Sequence, residues 1–193
     1  MVKKNFRDKS KSRKNYLLMH QIKIITDSIN DMRDKFLIKI LYETGCSVGE
    51  LVNIRVSDIR ENKIKILNND TKNLRFSRIS EKLANELQFF IKGNNLPKES
   101  FILTTKKSSK ISEKRVRQLI QYYTHKSGFG KINPQMFRYY HIANAYQEGV
   151  SIENISSQLG IMRYRIFQIL TDLEIVPKKN HYDNFFDNLE VKK

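Results

Sequence analysis

Apolar residues recur at helical spacing along most of this chain, and the interruptions fall at glycines. From Asp31 to Thr44, Phe36, Leu37, Ile40 and Leu41 make a stripe on one helix face, with Gly45 as its stop. Leu17 to Ile29 carries an earlier helix, so the two should lie as antiparallel neighbours. Ser47, with Glu50 three residues on, fits a capping box that starts a short helix through Asn53. The period then changes to two. "KIKIL" (Lys63 to Leu67) and "LRFSRIS" (Leu74 to Ser80) alternate on either side of "NND", which predicts a β-hairpin with a basic outer face. Helical spacing returns over Glu81 to Lys92, Glu113 to Ser127, Pro134 to Glu148, Ile152 to Gln158 and Met162 to Leu173, separated by Gly93, Gly128, Gly149 and Gly160. The predicted fold is mainly α with one small antiparallel β-hairpin or sheet.

Both ends depart from this pattern. The first fourteen residues hold seven Lys or Arg, among them Lys3, Lys4, Arg13 and Lys14, with almost nothing apolar to offset the entropy of ordering. Residues 1–15 are therefore expected to form a disordered basic arm, either a DNA contact or a solubilising tail. Residues 16–175 form the expected domain. Residues 176–193 are a tail in which Phe185, Phe186 and Leu189 give an apolar pair at helical spacing, expected to pack in cis or on a neighbouring protomer.

Charge narrows the function. The formal net charge is +16, from 36 Lys and Arg against 20 Asp and Glu in 193 residues. Such a surplus raises a positive potential that favours polyanions, nucleic acid first. An anionic membrane surface is the competitor, but the apolar runs are short and broken by Lys and Arg, so no spanning segment or signal peptide is expected and an intracellular site is. The single Cys46 rules out an intrachain disulfide, and with four dispersed His it gives no zinc-ligand spacing, so neither metal nor cofactor is expected.

The order of elements and two longer stretches carry a resemblance. "LIKILYETGCSVGELVNIRVSDI" is similar to the first box of the tyrosine recombinase (phage integrase) family, TG-x-R-x-x-E-L followed by a short strand. "KISEKRVRQLIQYYTHKSGFGKINPQMFRYYHIANAYQEGVSIENISSQLG" resembles that family's second box, with its P-H-x-x-R motif, long helix, "GV" and "LG". The resemblance covers roughly residues 16–175, corresponds to the catalytic domain alone, and implies that domain's fold.

It also implies an active site: a pair of arginines on the scissile phosphate, a hairpin lysine, one or two histidines for proton transfer, and a tyrosine hydroxyl that attacks phosphorus. Such a site needs cations where the non-bridging oxygens gain charge. Position by position, the first-box arginine falls on Ser47, the second-box histidine on Gln135, the later histidine on Ile161 and the tyrosine on Leu170, while Arg138 retains the second-box arginine. Lys72 is a moderate match to the hairpin lysine, with Lys63 and Lys65 nearby. Tyr164 lies six residues before Leu170, which displaces it by roughly 9 Å along a helix, and Tyr182 lies in the tail.

The segment Ser156 to Leu173 supports two readings. With Ile155, Leu159, Ile166, Ile169 and Leu170 buried, Gly160 in the turn and Arg163 and Arg165 outward, it has the form of a helix-turn-helix DNA reader; equally, its helices are core elements of the inherited fold. Lys114, Arg115 and Arg117 near a helix start are either a second DNA face or a solvated one. Arg75 and Arg78 fall on opposite faces of their strand, so at most one shares a DNA face with Lys72.

These readings lead to the expectation of a non-catalytic protein derived from a tyrosine recombinase. It would bind duplex DNA through Lys3, Lys4, Arg13, Lys14, Lys72, Arg75, Lys114, Arg115, Arg117, Arg138, Arg163 and Arg165, largely without sequence specificity. Its expected role is that of a nucleoid or chromatin-type architectural protein, from an archaeal, viral or bacterial source with an AT-rich genome, with self-association through the tail. The alternatives are a divergent integrase using Tyr182 or Tyr164, and a sequence-specific regulator.

Overall fold

The computed structural model describes residues 19–68, 72–105 and 109–176. The basic arm and the tail beyond Val176 lie outside the described residues. Helix α1 (Met19–Asp27) leads into α2 (Met32–Thr44), which starts where the Asp31 side chain accepts the Asp34 backbone N–H and stops at Gly45 in the left-handed conformation. The stripe Phe36, Leu37, Ile40 and Leu41 is buried as the periodicity requires. The capping box then closes as expected: Ser47 accepts the Glu50 N–H, the Glu50 carboxylate accepts the Ser47 N–H, and α3 (Val48–Leu51) follows.

Strands β2 (Lys63–Leu67) and β3 (Leu74–Arg78) form the predicted hairpin, joined by a two-residue β1 (Ile59–Arg60) into a three-stranded antiparallel sheet of order β1-β2-β3. A short 3-10 turn (Val56–Asp58) leads into β1, a strand too short to show a period in the sequence. The outer hairpin face carries Lys63, Lys65 and Arg78, and beside them the exposed Leu67, Leu74 and Phe76. It is thus more apolar than the expected basic face.

Helices α4 (Glu81–Gly93), α5 (Glu113–Lys126), α6 (Gln135–Gln147), α7 (Ile152–Leu159) and α8 (Arg163–Asp172) complete the domain. Ser80, Ser112 and Ser151 cap α4, α5 and α7 by accepting the N–H three residues on. Two apolar cores result. The larger joins α1 to α6 and the sheet, centred on Phe36, Leu51, Ile64 and Phe137. The smaller holds α7 and α8 against α6 through Ile142, Ile155, Leu159, Ile166, Ile169 and Leu170, with Tyr139, Leu173 and Ile175 touching both cores. No described helix is long and apolar enough to cross a membrane.

Gly45 fixes how closely these parts meet. Its φ is +60°, and a Cβ there would lie 2.8 Å from Leu159 Cδ2 on α7 and 2.9 Å from His141 Cδ2 on α6. Gly160, with φ +64°, has no heavy atom within 4 Å of the same construction. Gly160→Ala should therefore cost only the left-handed penalty of roughly 1 kcal/mol. Gly45→Ala should cost roughly 1–3 kcal/mol more from overpacking, read as the difference between the two variants in denaturant unfolding.

Candidate nucleic-acid interface and phosphate pocket

The N-terminal turn of α3 faces the start of α6 across a polar pocket of about 340 Å³. Cys46 to Glu50 form one wall, Gln135 and Arg138 the other, and Asn68 from the hairpin loop and Arg117 from α5 reach the rim. The sequence thus supplies a backbone turn with short side chains, Ser47 and Gly49, opposite a cation. Ser47, Gln135 and Arg138, far apart in the chain, come together here. Ile161 and Leu170 belong to the smaller core instead, Leu170 fully buried and Ile161 partly so. Tyr164 is exposed, accepts a hydrogen bond from Gln168 at 2.6 Å, and is not part of the pocket lining.

Arg138 is the central group. One Nη donates to the Leu159 carbonyl at 3.3 Å, which ties α6 to the end of α7, and the buried Nε–H has no hydrogen-bond partner among the described residues. A buried donor without a partner is costly and commonly marks a place that a ligand completes. Burial lowers the Arg138 pKa, Glu50 opposes that shift and Arg75 adds to it, yet a guanidinium stays charged throughout.

Beneath the pocket lies an ion pair that the sequence reading did not anticipate. Arg75 Nη1 and Nη2 donate to the two Glu50 oxygens at 2.8 and 3.0 Å, with side chains 8% and 3% exposed. Arg75 is therefore not a surface DNA contact, as expected from its hairpin position, but an inward-facing residue of β3. The alternation carried this signal, because Arg75 shares its strand face with the fully buried Ser77, opposite Arg78. An arginine on the core face requires a buried counter-ion, and Glu50 supplies it. Burial pushes the Glu50 carboxyl up, but hydrogen bonds from Arg75 and the Ser47 backbone, with the charges of Arg75 and Arg138, outweigh this and hold it below the usual carboxylate range.

The other predicted cations are spread over the surface. Lys72, Lys114, Arg115, Arg117, Arg163 and Arg165 are all exposed. Lys72 adopts a left-handed backbone, φ +59°, in the hairpin loop. Arg117 pairs with Glu113 at 2.7 Å on the pocket rim, and Arg163 meets Glu153 at 3.5 Å. Such half-exposed pairs contribute little and yield readily to a phosphate. Lys3, Lys4, Arg13 and Lys14 lie outside the described residues. Among the described residues no cluster of three or more His, Cys, Asp or Glu could hold a metal ion.

A sequence model described as the phage integrase family matches residues 15–174, and the chain belongs to that family. Similar curated proteins include a tyrosine recombinase of Pseudothermotoga lettingae, 29% identical over 149 residues, covering 75% of this chain and 51% of that protein. Another is tyrosine recombinase XerC of Staphylococcus epidermidis, 26% identical, covering 69% of this chain and 47% of that protein. A third is XerA of Pyrococcus horikoshii, 27% identical, at 78% and 54%. The chain thus spans about half the length of these relatives.

Solved structures share the fold. The crystal structure of XerA recombinase superposes with a TM-score of 0.72 at 19% identity, covering 90% of this chain and 62% of that one. A lambda integrase dimer bound to a COC′ core site gives 0.64 at 18%, covering 83% and 49%. These comparisons correct the expectation that the protein is not an enzyme. The relatives are named as recombinases, so the chain belongs to a family of enzymes, and the residues at Ser47, Gln135, Ile161 and Leu170 do not by themselves establish a loss of activity.

His141 lies next to this site. Its Nδ1 is 3.2 Å from the Tyr42 carbonyl oxygen, its Nε2 is buried without a partner, and burial lowers its pKa, so the ring is held neutral. The unfolded chain then takes up the proton first as pH falls through about 6.5, and stability should drop as pH falls below about 7. Glu50, depressed in the fold, adds a loss of the same sign below about pH 4.3. Thermal unfolding against pH should show this slope, and His141→Gln should flatten it in the upper window.

Proposed function

We propose that this protein binds duplex DNA by taking a backbone phosphate into the pocket between α3 and α6, with Arg138 as its principal contact. The observation that carries this reading is Arg138 on the wall of an open polar pocket, a guanidinium whose buried Nε–H no described residue satisfies, in a chain of net charge +16. Lys72, Lys114, Arg115, Arg117, Arg163, Arg165 and the cations of residues 1–15 supply further phosphate contacts, which position a protein on DNA without reading sequence. The finer role is that of a nucleoid or chromatin-type protein coating or organising the chromosome. Structural neighbours solved on DNA sites, XerH recombinase bound to a difH substrate and a lambda integrase dimer bound to a COC′ core site, support DNA as the partner.

Binding to several unrelated duplexes across a salt series tests this. Similar affinities should fall steeply with salt, and Arg138→Met should lower the slope of log K against log salt by about 0.9, one phosphate. One duplex retained at high salt while the others dissociate would replace this reading with that of a site-specific regulator.

The relatives' names favour a second reading, DNA strand breakage and rejoining through a tyrosine, with Tyr164 or Tyr182 as the nucleophile. On a nicked duplex that traps the intermediate, this reading expects a protein–DNA adduct that survives denaturation and is lost in a single Tyr→Phe variant. No adduct with any duplex tried, including palindromic ones, removes it.

A further inference from the structure

We propose that Arg75 is a positioning residue of the phosphate pocket: by neutralising Glu50 from beneath, it leaves the positive charge of Arg138 available to the bound anion. The inference rests on reading the pocket as a phosphate site and assigns a role to a residue that does not touch the ligand.

Glu50 lines the pocket and is only 4% exposed, so an anion entering meets a carboxylate in the wall. Because the Glu50 carboxylate is nearly buried, that repulsion is screened less than it would be in water. The rest of the α3 turn offers nothing to cancel it, since Cys46, Ser47, Val48 and Gly49 carry no charge. Arg75 cancels it through both oxygens at 2.8 and 3.0 Å, a forked geometry that also leaves Glu50 free to accept the Ser47 N–H at 2.7 Å. Glu50, Arg75 and Arg138 together carry one positive charge; without Arg75 they carry none.

The strand fixes Arg75 in place. In register opposite Ile66 of β2, it faces inward beside Ser77, and its own Nε is buried without a hydrogen-bond partner. Of the two guanidiniums, Arg138 stands on the pocket wall with an unfilled Nε–H, while Arg75 commits both Nη groups to Glu50 beneath it. That is the charge and hydrogen-bond state expected of a site completed by one more anion. A purely structural ion pair, clamping the hairpin to α3, would need no such excess.

The two roles differ in sign. If the pair only holds the fold together, Arg75→Met and Glu50→Gln should both weaken DNA binding as they destabilise the protein. If Arg75 balances charge, both variants lower the melting temperature but move affinity in opposite directions. The experiment is fluorescence anisotropy of one labelled duplex across a salt series, with thermal unfolding of the full chain in parallel. Arg75→Met should weaken binding roughly tenfold and lower the salt slope by about 0.9, as Arg138→Met does. Glu50→Gln, whose amide oxygen still accepts from Ser47, should bind tighter than the unaltered protein. The double variant should return close to the original affinity and slope.

Weakening by both single variants, or a double variant no better than Arg75→Met, overturns the proposal. Should Arg75→Met not fold, the tighter binding of Glu50→Gln and the recovery in the double variant decide the question alone. An unchanged slope in Arg138→Met overturns the phosphate pocket itself, whereas a lowered slope there with none in Arg75→Met overturns only the role of Arg75.

Discussion

The fold turns on the missing side chain of Gly45. Only a residue without a Cβ can end α2 in the left-handed conformation and let α6 and α7 close over it, with His141 and Leu159 in the space a methyl would occupy. That contact brings three parts of the chain to one point: the end of α2, the middle of α6 and the end of α7. The turn that leaves Gly45 becomes the Cys46 to Glu50 wall of the pocket, and one helical turn before His141 on α6 stands Arg138, on the opposite wall. The close packing of a helix end thus joins the elements that carry the two walls.

The site itself is organised by charge. Burying the Arg75–Glu50 pair removes two ions from water, a cost that good geometry and satisfied hydrogen bonds can offset only in part. Replacing such a pair with apolar residues is often neutral or stabilising, so stability alone gives little reason for it. The Glu50 carboxylate serves two purposes at once. It completes the capping box that starts α3 and holds the inner face of the hairpin against that helix, so the sheet and the pocket wall share one anchor.

Most of the fold was legible in the sequence because its elements are long and strongly periodic. The stripe of α2, the serine caps and the glycine stops each acted locally, and the helix ends fell within about two residues of expectation. Strand β1 was legible only through the family resemblance, whose first box is followed by a short strand, since two residues carry no period and its place is set by pairing with β2. For the site, the motif positions Ser47, Gln135 and Arg138 did mark one pocket. The misplacement of Arg75 has a different origin. A positive charge ordinarily marks the surface, whereas the alternation of β3 puts residue 75 with Ser77 on the core face. Period two was the better guide. The expectation of a non-enzyme rested on side chains at four positions, and the family relationship, which extends over the whole domain, outweighs it.

The two apolar cores give the molecule an internal seam. Helices α7 and α8 are held to the rest by Ile142, by the side chains that touch both cores, by Leu159 against Gly45, by Gln158 donating to the Ser77 hydroxyl, and by the bond from Arg138 to the Leu159 carbonyl. Units joined in this way tend to open as cooperative blocks below the cost of global unfolding. If the carboxy-terminal pair swings away, Arg138 loses its only hydrogen-bonded support among the described residues and gains freedom to turn toward the pocket. On the proposed reading, the grip on an anion and the docking of the last two helices then draw on the same guanidinium, so whatever engages those helices would be felt at the pocket without touching it.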